Sequence, residues 1–375
     1  MNAPASLPRG TQPNGRVDLL GLTHEEFSQT IEGFLSSARE PGYRSRQLRE
    51  WVYRRNPTGF SSMSDVPKQL RERLGASFTL HPLEKNLEKL SRDSTRKFLW
   101  SRPQGGVLES VVIPERERTT YCISTQAGCP VKCTFCATGY GGFDGNLSTA
   151  EIIDQVLQMR QATDSPPTNI VYMGMGEPLL NFPAVARSLT ILTHPEQVGF
   201  GARRITVSTV GIPERIRELG TLFPQVKLAL SLHAARDELR DRIIPLNRKY
   251  GLKALLAATG EHAQTTGRKV TFEYVVLPGV NDSERDAREV SLLVRGIPSG
   301  INLIGFNPFP GAPYTRPSVK RLLCFRQWLG RTYRGPITIR RSRGEDIEGA
   351  CGQLSLSRDG ADSLKRPRKG PSESA

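Results

Sequence analysis

The sequence predicts an α/β protein in which a parallel sheet is covered by helices and a small helical domain stands in front. Three observations carry this. From about residue 105, six apolar strand-like runs alternate with helical stretches. Before that point the apolar periodicity is helical: in residues 43–55, Leu48, Trp51 and Val52 fall at i, i+3 and i+4. A length of 375 residues allows two or three domains and a substantial core without disulfide staples.

The strand runs are 119–125, 169–173, 204–209, 226–232, 270–277 and 301–306. The helical stretches are 149–162, 183–192, 213–220, 236–243 with 252–265, 283–295, and 317–332. Ser148 and Glu151 have the spacing of a capping box that opens the first of these helices. Serial βα units build either an open doubly wound sheet or a complete or partial barrel. Both place functional residues at the C-terminal strand ends. Residues 1–17 and 355–375 are polar and predicted disordered, the second ending in Lys365, Arg366, Arg368 and Lys369. Between them lie a helical domain over 18–100 and the βα domain over 101–354.

Charge points to a polyanionic partner. There are 52 Lys and Arg against 37 Asp and Glu, a net of +15. Within 44–73, Arg44, Arg46, Arg49, Arg54, Arg55, Lys68, Arg71 and Arg73 oppose only Glu50, Asp65 and Glu72. Phosphate contact is the functional reading of this cluster, and a solvated helix face the structural one. No run of eighteen apolar residues exists and the first sixteen residues have no apolar h-region, so a cytoplasmic protein without a membrane segment is expected.

Cys122, Cys129, Cys133 and Cys136 lie within fifteen residues, while Cys324 and Cys351 stand apart. Such clustering suggests a metal site in a reducing compartment. Cys129, Cys133 and Cys136 have the spacing C-x3-C-x2-C, with Phe135 before the third. Three thiolates on one loop can hold three irons of a [4Fe–4S] cluster and leave the fourth open. A four-cysteine zinc site recruiting Cys122 is the rival, although only Cys133 and Cys136 form the usual C-x2-C pair. The rim predicted from the strand ends gathers Met173-Gly174-Met175-Gly176-Glu177-Pro178, Ser208-Thr209, Ser231-Leu232-His233 and Asn307-Pro308-Phe309-Pro310. Gly174-x-Gly176 lacks the third glycine of a dinucleotide fingerprint.

Cys129-x3-Cys133-x-Phe135-Cys136 resembles the cluster motif of the radical S-adenosylmethionine (radical-SAM) superfamily. Ser124-Thr125-Gln126-Ala127-Gly128-Cys129, the Met173 to Leu179 run, Leu230-Ser231-Leu232-His233-Ala234, Asn307 to Gly311, Arg343-Gly344-Glu345-Asp346-Ile347 and Ala350-Cys351-Gly352-Gln353-Leu354 together resemble the RlmN/Cfr family of RNA adenine methyltransferases. The likeness covers about residues 20–355 and is closer to the branch that methylates adenine C2 than to the C8 branch. Gly145 departs from it, standing where a basic residue is expected.

The resemblance implies a partial (β/α)6 radical-SAM barrel behind a small N-terminal helical RNA-binding domain. It implies methylation of adenosine C2 in 23S ribosomal RNA and in transfer RNA. It further implies a [4Fe–4S] cluster on Cys129, Cys133 and Cys136, and S-adenosylmethionine bound by Gly176, Glu177, Ser208, Ser231, Leu232, His233 and Asn307. In the family scheme Cys351 takes a methyl from one S-adenosylmethionine. A deoxyadenosyl radical from a second opens that methyl, and the carbon radical adds to the base. Cys122 then acts as base and resolves the adduct through a disulfide with Cys351, while Glu109 relays protons. Read without the family, Glu109 is equally well a strand-surface carboxylate, Cys122 and Cys324 core residues, and His233 a structural hydrogen-bonding histidine. An electron donor such as flavodoxin or ferredoxin and a monomeric state are also expected.

Overall fold

The computed structural model describes residues 15–163 and 165–355. The expected tails at 1–14 and 356–375, with the terminal basic cluster, lie outside the described residues. Val17 does not belong to a tail: the two-residue strand β1 (Val17–Asp18) pairs in parallel with β2 (Phe78–Thr79). Between them lie α1 (His24–Ala38), α2 (Arg44–Glu50) and α3 (Lys68–Ser77). Thr23 and Glu26 close a capping box on α1, and Phe27, Ile31 and Leu35 give it one buried face.

The helical pattern expected to continue to about residue 100 stops at Ser77. Residues beyond it form β3 (Glu84–Leu90), β4 (Arg96–Ser101) and β5 (Val107–Glu115), an antiparallel meander. The misreading has a physical origin. β3 is an edge strand of sequence EKNLEKL whose residues are mostly exposed, so it shows no clean two-residue alternation. β5 runs antiparallel to β6 (Arg118–Cys122). There the parallel part begins, after an excursion through β7 (Gln126–Gly128), α4 (Ala137–Tyr140), β8 (Phe143–Asn146) and α5 (Thr149–Ala162). The expected Ser148–Glu151 capping box opens α5.

The parallel strands continue as β9 (Asn169–Tyr172), β10 (Ile205–Thr209), β11 (Lys227–Ser231), β12 (Val270–Val276), β13 (Ser299–Gly305) and β14 (Ile337–Arg340). The helices between them are α6 (Phe182–Thr193), α7 (Pro213–Leu222), α8 (Asp237–Ile243), α9 (Leu252–Thr266), α10 (Glu284–Leu293) and α11 (Val319–Thr332). All six predicted strands are present. β14 was not foreseen, because four residues after Pro336 give too short a pattern. The ten-stranded sheet has the order β14-β13-β12-β11-β10-β9-β6-β5-β4-β3, with no strand out of sequence except the excursion. No pairing among the described strands joins β14 to the opposite edge, so the six βα units form an open, partial barrel.

One apolar core runs from Leu19 and Phe27 of the helical domain through Leu157, Leu230 and Leu303 of the barrel. His81 adds a polar tie, with Nδ1 2.6 Å from Asp154 of α5 and Nε2 2.8 Å from the Pro57 carbonyl. The arginine cluster is largely spent on this packing. Arg44 pairs with Glu40, Arg55 with Asp65, and Arg49 with Glu196 of the barrel, while Arg54 donates to the Pro195 carbonyl. Arg46 and Lys68 are exposed and make no ion pair among the described residues. No described helix is long and apolar enough to cross a membrane.

Candidate active site

An open cavity of about 1000 Å³ sits at the C-terminal ends of the parallel strands. Cys129, Cys133 and Cys136 line it together with Gly176, Glu177, Ser208, Ser231, His233, Asn307 and Cys351. Residues more than 200 positions apart thus meet on one rim, as the strand-end rule requires.

The three-thiol loop is shaped by its backbone. Cys129 N donates to the Gly142 carbonyl at 2.8 Å. A Cβ on Gly128, at φ +76°, would lie 2.1 Å from that same oxygen, so only glycine fits before the first thiol. Thr134 N is held by the Ile243 carbonyl, and Phe135 packs edge-on against His233 at 4.7 Å. Burial pushes the Cys129 thiol up to about 12 and Cys133 well above its ordinary value, and the neighbouring Cys136 thiol adds to both. Thiols crowded so that each opposes ionisation of the next suit a cationic iron–sulfur group, which reverses that balance. Cys122 does not join them. Cys122 lines no part of the cavity that the other three share, so the four-cysteine zinc reading lacks its fourth ligand.

Glu177 is buried behind Gly176, whose φ of +100° and closeness to Gln126 again admit only glycine. Its Oε1 accepts from Leu179 N at 2.9 Å and Thr209 Oγ1 at 2.7 Å, and Oε2 from Val210 N at 2.9 Å. Burial raises its carboxyl and these bonds oppose the rise. His233 is both structural and cavity-facing. Its Nδ1 accepts from Val275 N at 2.9 Å, which puts the proton of the neutral ring on Nε2. Burial, with Arg240 nearby, lowers its pKa to about 3, so it stays neutral. Leu232 departs from the expectation. It is fully buried and does not line the cavity, and its backbone groups are taken by Glu273, Ala234 and Arg240.

The loop bearing Cys351 docks on the three-thiol loop and on β13. Ala137 N donates to the Gly352 carbonyl at 2.7 Å, Thr138 Oγ1 to Leu354 at 2.6 Å, and Gln353 to Pro308 at 2.9 Å. Cys351 is exposed, and what it faces is the cavity it lines. Burial nonetheless raises its thiol, against a lowering by Arg340. Cys122 is buried at the end of β6. Burial pushes it up to about 12, Cys351 adds to the rise and Arg340 opposes it. Both cysteines are free thiols. Cys324 is half-buried on α11 and lines no part of the cavity.

Glu109 is not the surface carboxylate that its strand pattern allowed. It is 1% exposed on a stretch of β5 buried on both faces, and it pairs with Lys97 at 3.0 Å. It does not line the cavity. Sequence reasoning missed Lys97, Arg340 and Arg240. Arg340 ends the unforeseen β14 and lines the cavity, and the alternation Ile337-Thr338-Ile339-Arg340 is the signal that could have found it. Buried Arg240 donates to the carbonyls of Val210, Ser231 and Leu232 and to Asn247, pinning the ends of β10 and β11. Nothing in its helical sequence announces this.

Comparison with known proteins agrees with this geometry. The radical SAM superfamily profile matches residues 123–289, and that of the ribosomal RNA large subunit methyltransferase N-terminal domain matches 17–80. The dual-specificity RNA methyltransferase RlmN of Magnetococcus marinus is 45% identical, covering 94% of this chain and 97% of its own. That of Geobacter sulfurreducens is 44% identical over 90% of this chain and 92% of its own. A crystal structure of a radical SAM methyltransferase from Sphaerobacter thermophilus superposes with a TM-score of 0.85 at 44% identity, covering 90% of this chain and 98% of that one. At this identity and coverage the chain belongs to the RlmN family of radical-SAM RNA methyltransferases.

Proposed function

We propose that the protein methylates C2 of adenosine in 23S ribosomal RNA and transfer RNA, with Cys351 carrying the methyl carbon to the base. One observation carries this reading: Cys351 shares a single cavity with Cys129, Cys133 and Cys136. Those three thiols would hold the [4Fe–4S] cluster. Gly176, Glu177, Ser208, Ser231, His233 and Asn307 would hold S-adenosylmethionine. When bound, the cluster and S-adenosylmethionine supply the methyl group and the one-electron chemistry that opens an unactivated C–H bond.

The chain's own residues do the rest. Glu177, fixed by three donors, presents an oriented carboxylate to an ammonium group. Neutral His233 offers an N–H donor at Nε2. Cys351 is the nucleophilic sulfur. Arg340 lies within electrostatic reach of both Cys351 and Cys122 and favours their thiolates. Cys122, within electrostatic reach of Cys351, would take the ring proton, give it up, and as thiolate attack the Cys351 sulfur. The S–S bond forms as the S–C bond breaks, the adduct gives its odd electron to the one-electron carrier, and the freed carbon is protonated to the methyl group. An external dithiol would then reduce the disulfide for the next turnover. In this reading the protein works in the cytoplasm as a monomer and draws electrons from a one-electron donor such as flavodoxin or ferredoxin.

The reduced, cluster-loaded protein is incubated with S-adenosylmethionine and total RNA, and the RNA is digested to nucleosides for mass analysis. The expected product is 2-methyladenosine. Only 8-methyladenosine overturns the position assigned, and no methylated adenosine overturns the activity.

A further inference from the structure

We propose that Lys97 is a positioning residue for Cys351: with Glu109 it forms a buried latch that holds both ends of the Cys351 loop. Lys97 lies on β4 and Glu109 on β5, on the same face of the sheet, with Nζ and Oε1 3.0 Å apart. They are 3% and 1% exposed. An ion pair this deep is a poor way to stabilise a sheet, since apolar residues of the same volume do as well or better. The remaining bonds of the pair show what it does instead. Lys97 Nζ also reaches the Glu348 carbonyl at 3.4 Å, and Glu109 Oε2 accepts from Ser355 N at 3.0 Å. Glu348 precedes Cys351 by three residues and Ser355 follows it by four. One charge pair therefore fastens the segment on either side of the sulfur.

The turn between β3 and β4 grips the chain just upstream. Asp346 accepts from Ser91 Oγ at 2.5 Å and Arg92 N at 3.1 Å, and Gly344 N donates to Asp93 at 3.0 Å. Those contacts guide the approach, whereas the Lys97–Glu109 pair holds the loop itself. Each oxygen of the Glu109 carboxylate thus has one partner in this latch. The significance for catalysis rests on Cys351 being the methyl carrier. The docking claim does not, and its hydrogen-exchange test uses neither RNA nor S-adenosylmethionine.

The test is amide hydrogen exchange of the full-length, cluster-loaded protein, comparing peptides over 348–355 with peptides from β10 to β12. In Lys97→Met the loop amides should exchange at least about tenfold faster, with the sheet amides unchanged. Lys97→Arg, which keeps the charge and donors, should stay within about threefold of the parent. Ser355→Pro removes the loop's donor to Glu109 while leaving Lys97 in place, and should also speed exchange in the loop, at 348–351 as well as beside the proline. Loop exchange unchanged in both Lys97→Met and Ser355→Pro overturns the latch. If Lys97→Met fails to fold, Ser355→Pro decides alone. In turnover, Lys97→Met should lower kcat with little change in KM for RNA, and a change confined to KM also overturns the assignment. Failure of Cys351→Ala to abolish methylation would sink the functional reading and leave the exchange result standing.

Discussion

Asn307 donates its amide to the carbonyl of Cys351 at 3.0 Å, which ties the segment that follows β13 to the Cys351 loop. The Asn307 oxygen is taken as well, by Ser342 Oγ at 2.7 Å. A residue expected to bind S-adenosylmethionine is thus already bonded to the Cys351 backbone. One N–H of the amide remains for a ligand. Binding at Asn307 and docking of the loop are therefore physically coupled.

The three-thiol loop makes the first prediction. Purified without oxygen, the protein should carry one [4Fe–4S] cluster. Cys133→Ala should lose it and Cys324→Ala should keep it, measured as iron, sulfide and visible absorbance. Equal iron in the two variants would remove Cys133 from the ligand set.

The pairing of Cys122 with Cys351 makes the second. Under the proposed roles, loss of Cys351 should stop the reaction before RNA is attached, whereas loss of Cys122 should stop it with RNA held through a carbon–sulfur link. A denaturing gel of Cys122→Ala after reaction should show protein carrying RNA that resists thiol reductants, because a thioether is not a disulfide. The double variant Cys122→Ala/Cys351→Ala should show none. Normal turnover by Cys122→Ala would make Cys122 a core residue only.

The fate of the arginines makes the third. Arg46 and Lys68 face solvent, while Arg49 is spent on Glu196. Replacing Arg46 and Lys68 with Gln should flatten the salt dependence of RNA binding by up to about 0.9 log units of slope per lost phosphate contact. Arg49→Gln should instead lower the unfolding temperature and leave the slope alone. A slope that responds only to Arg49 would reverse this division.

His81 makes the fourth. Both ring nitrogens face acceptors, the Asp154 carboxylate and the Pro57 carbonyl, so the bonded form is the imidazolium. Burial lowers its pKa, but the bond and charge of Asp154 outweigh that and the net shift is upward from 6.5. A raised folded pKa means stability fully present below about 6.5 and lost as pH rises through the folded value. The difference in unfolding free energy between the parent and His81→Gln should be largest below about pH 6.5 and shrink as pH rises above it. A difference that grows with pH would show a neutral ring.

The six βα units were legible because parallel strands covered on both faces read as near-continuous apolar runs, as in Lys227–Ser231 and Val270–Val276. The cysteine loop was legible from spacing alone. The antiparallel edge was not, because the charges of Glu84–Leu90 hide a strand, and Lys97 reads as exposed until its partner is known. Arg340 was missed together with its strand. The contact of Lys97 with Glu348 spans 251 residues, and no local pattern encodes it.

Chain order gives the open barrel a consequence for biosynthesis. Cys136 precedes Cys351 by 215 residues, while the strands that receive the Cys351 segment, β4 and β5, are made before either. During translation the iron–sulfur loop emerges long before its methyl acceptor. A chain arrested between Asn307 and Cys351 has the residues that would hold the cluster and S-adenosylmethionine and lacks the proposed methyl carrier. Competence arrives in a single late event, when newly made sequence returns to some of the oldest strands in the protein.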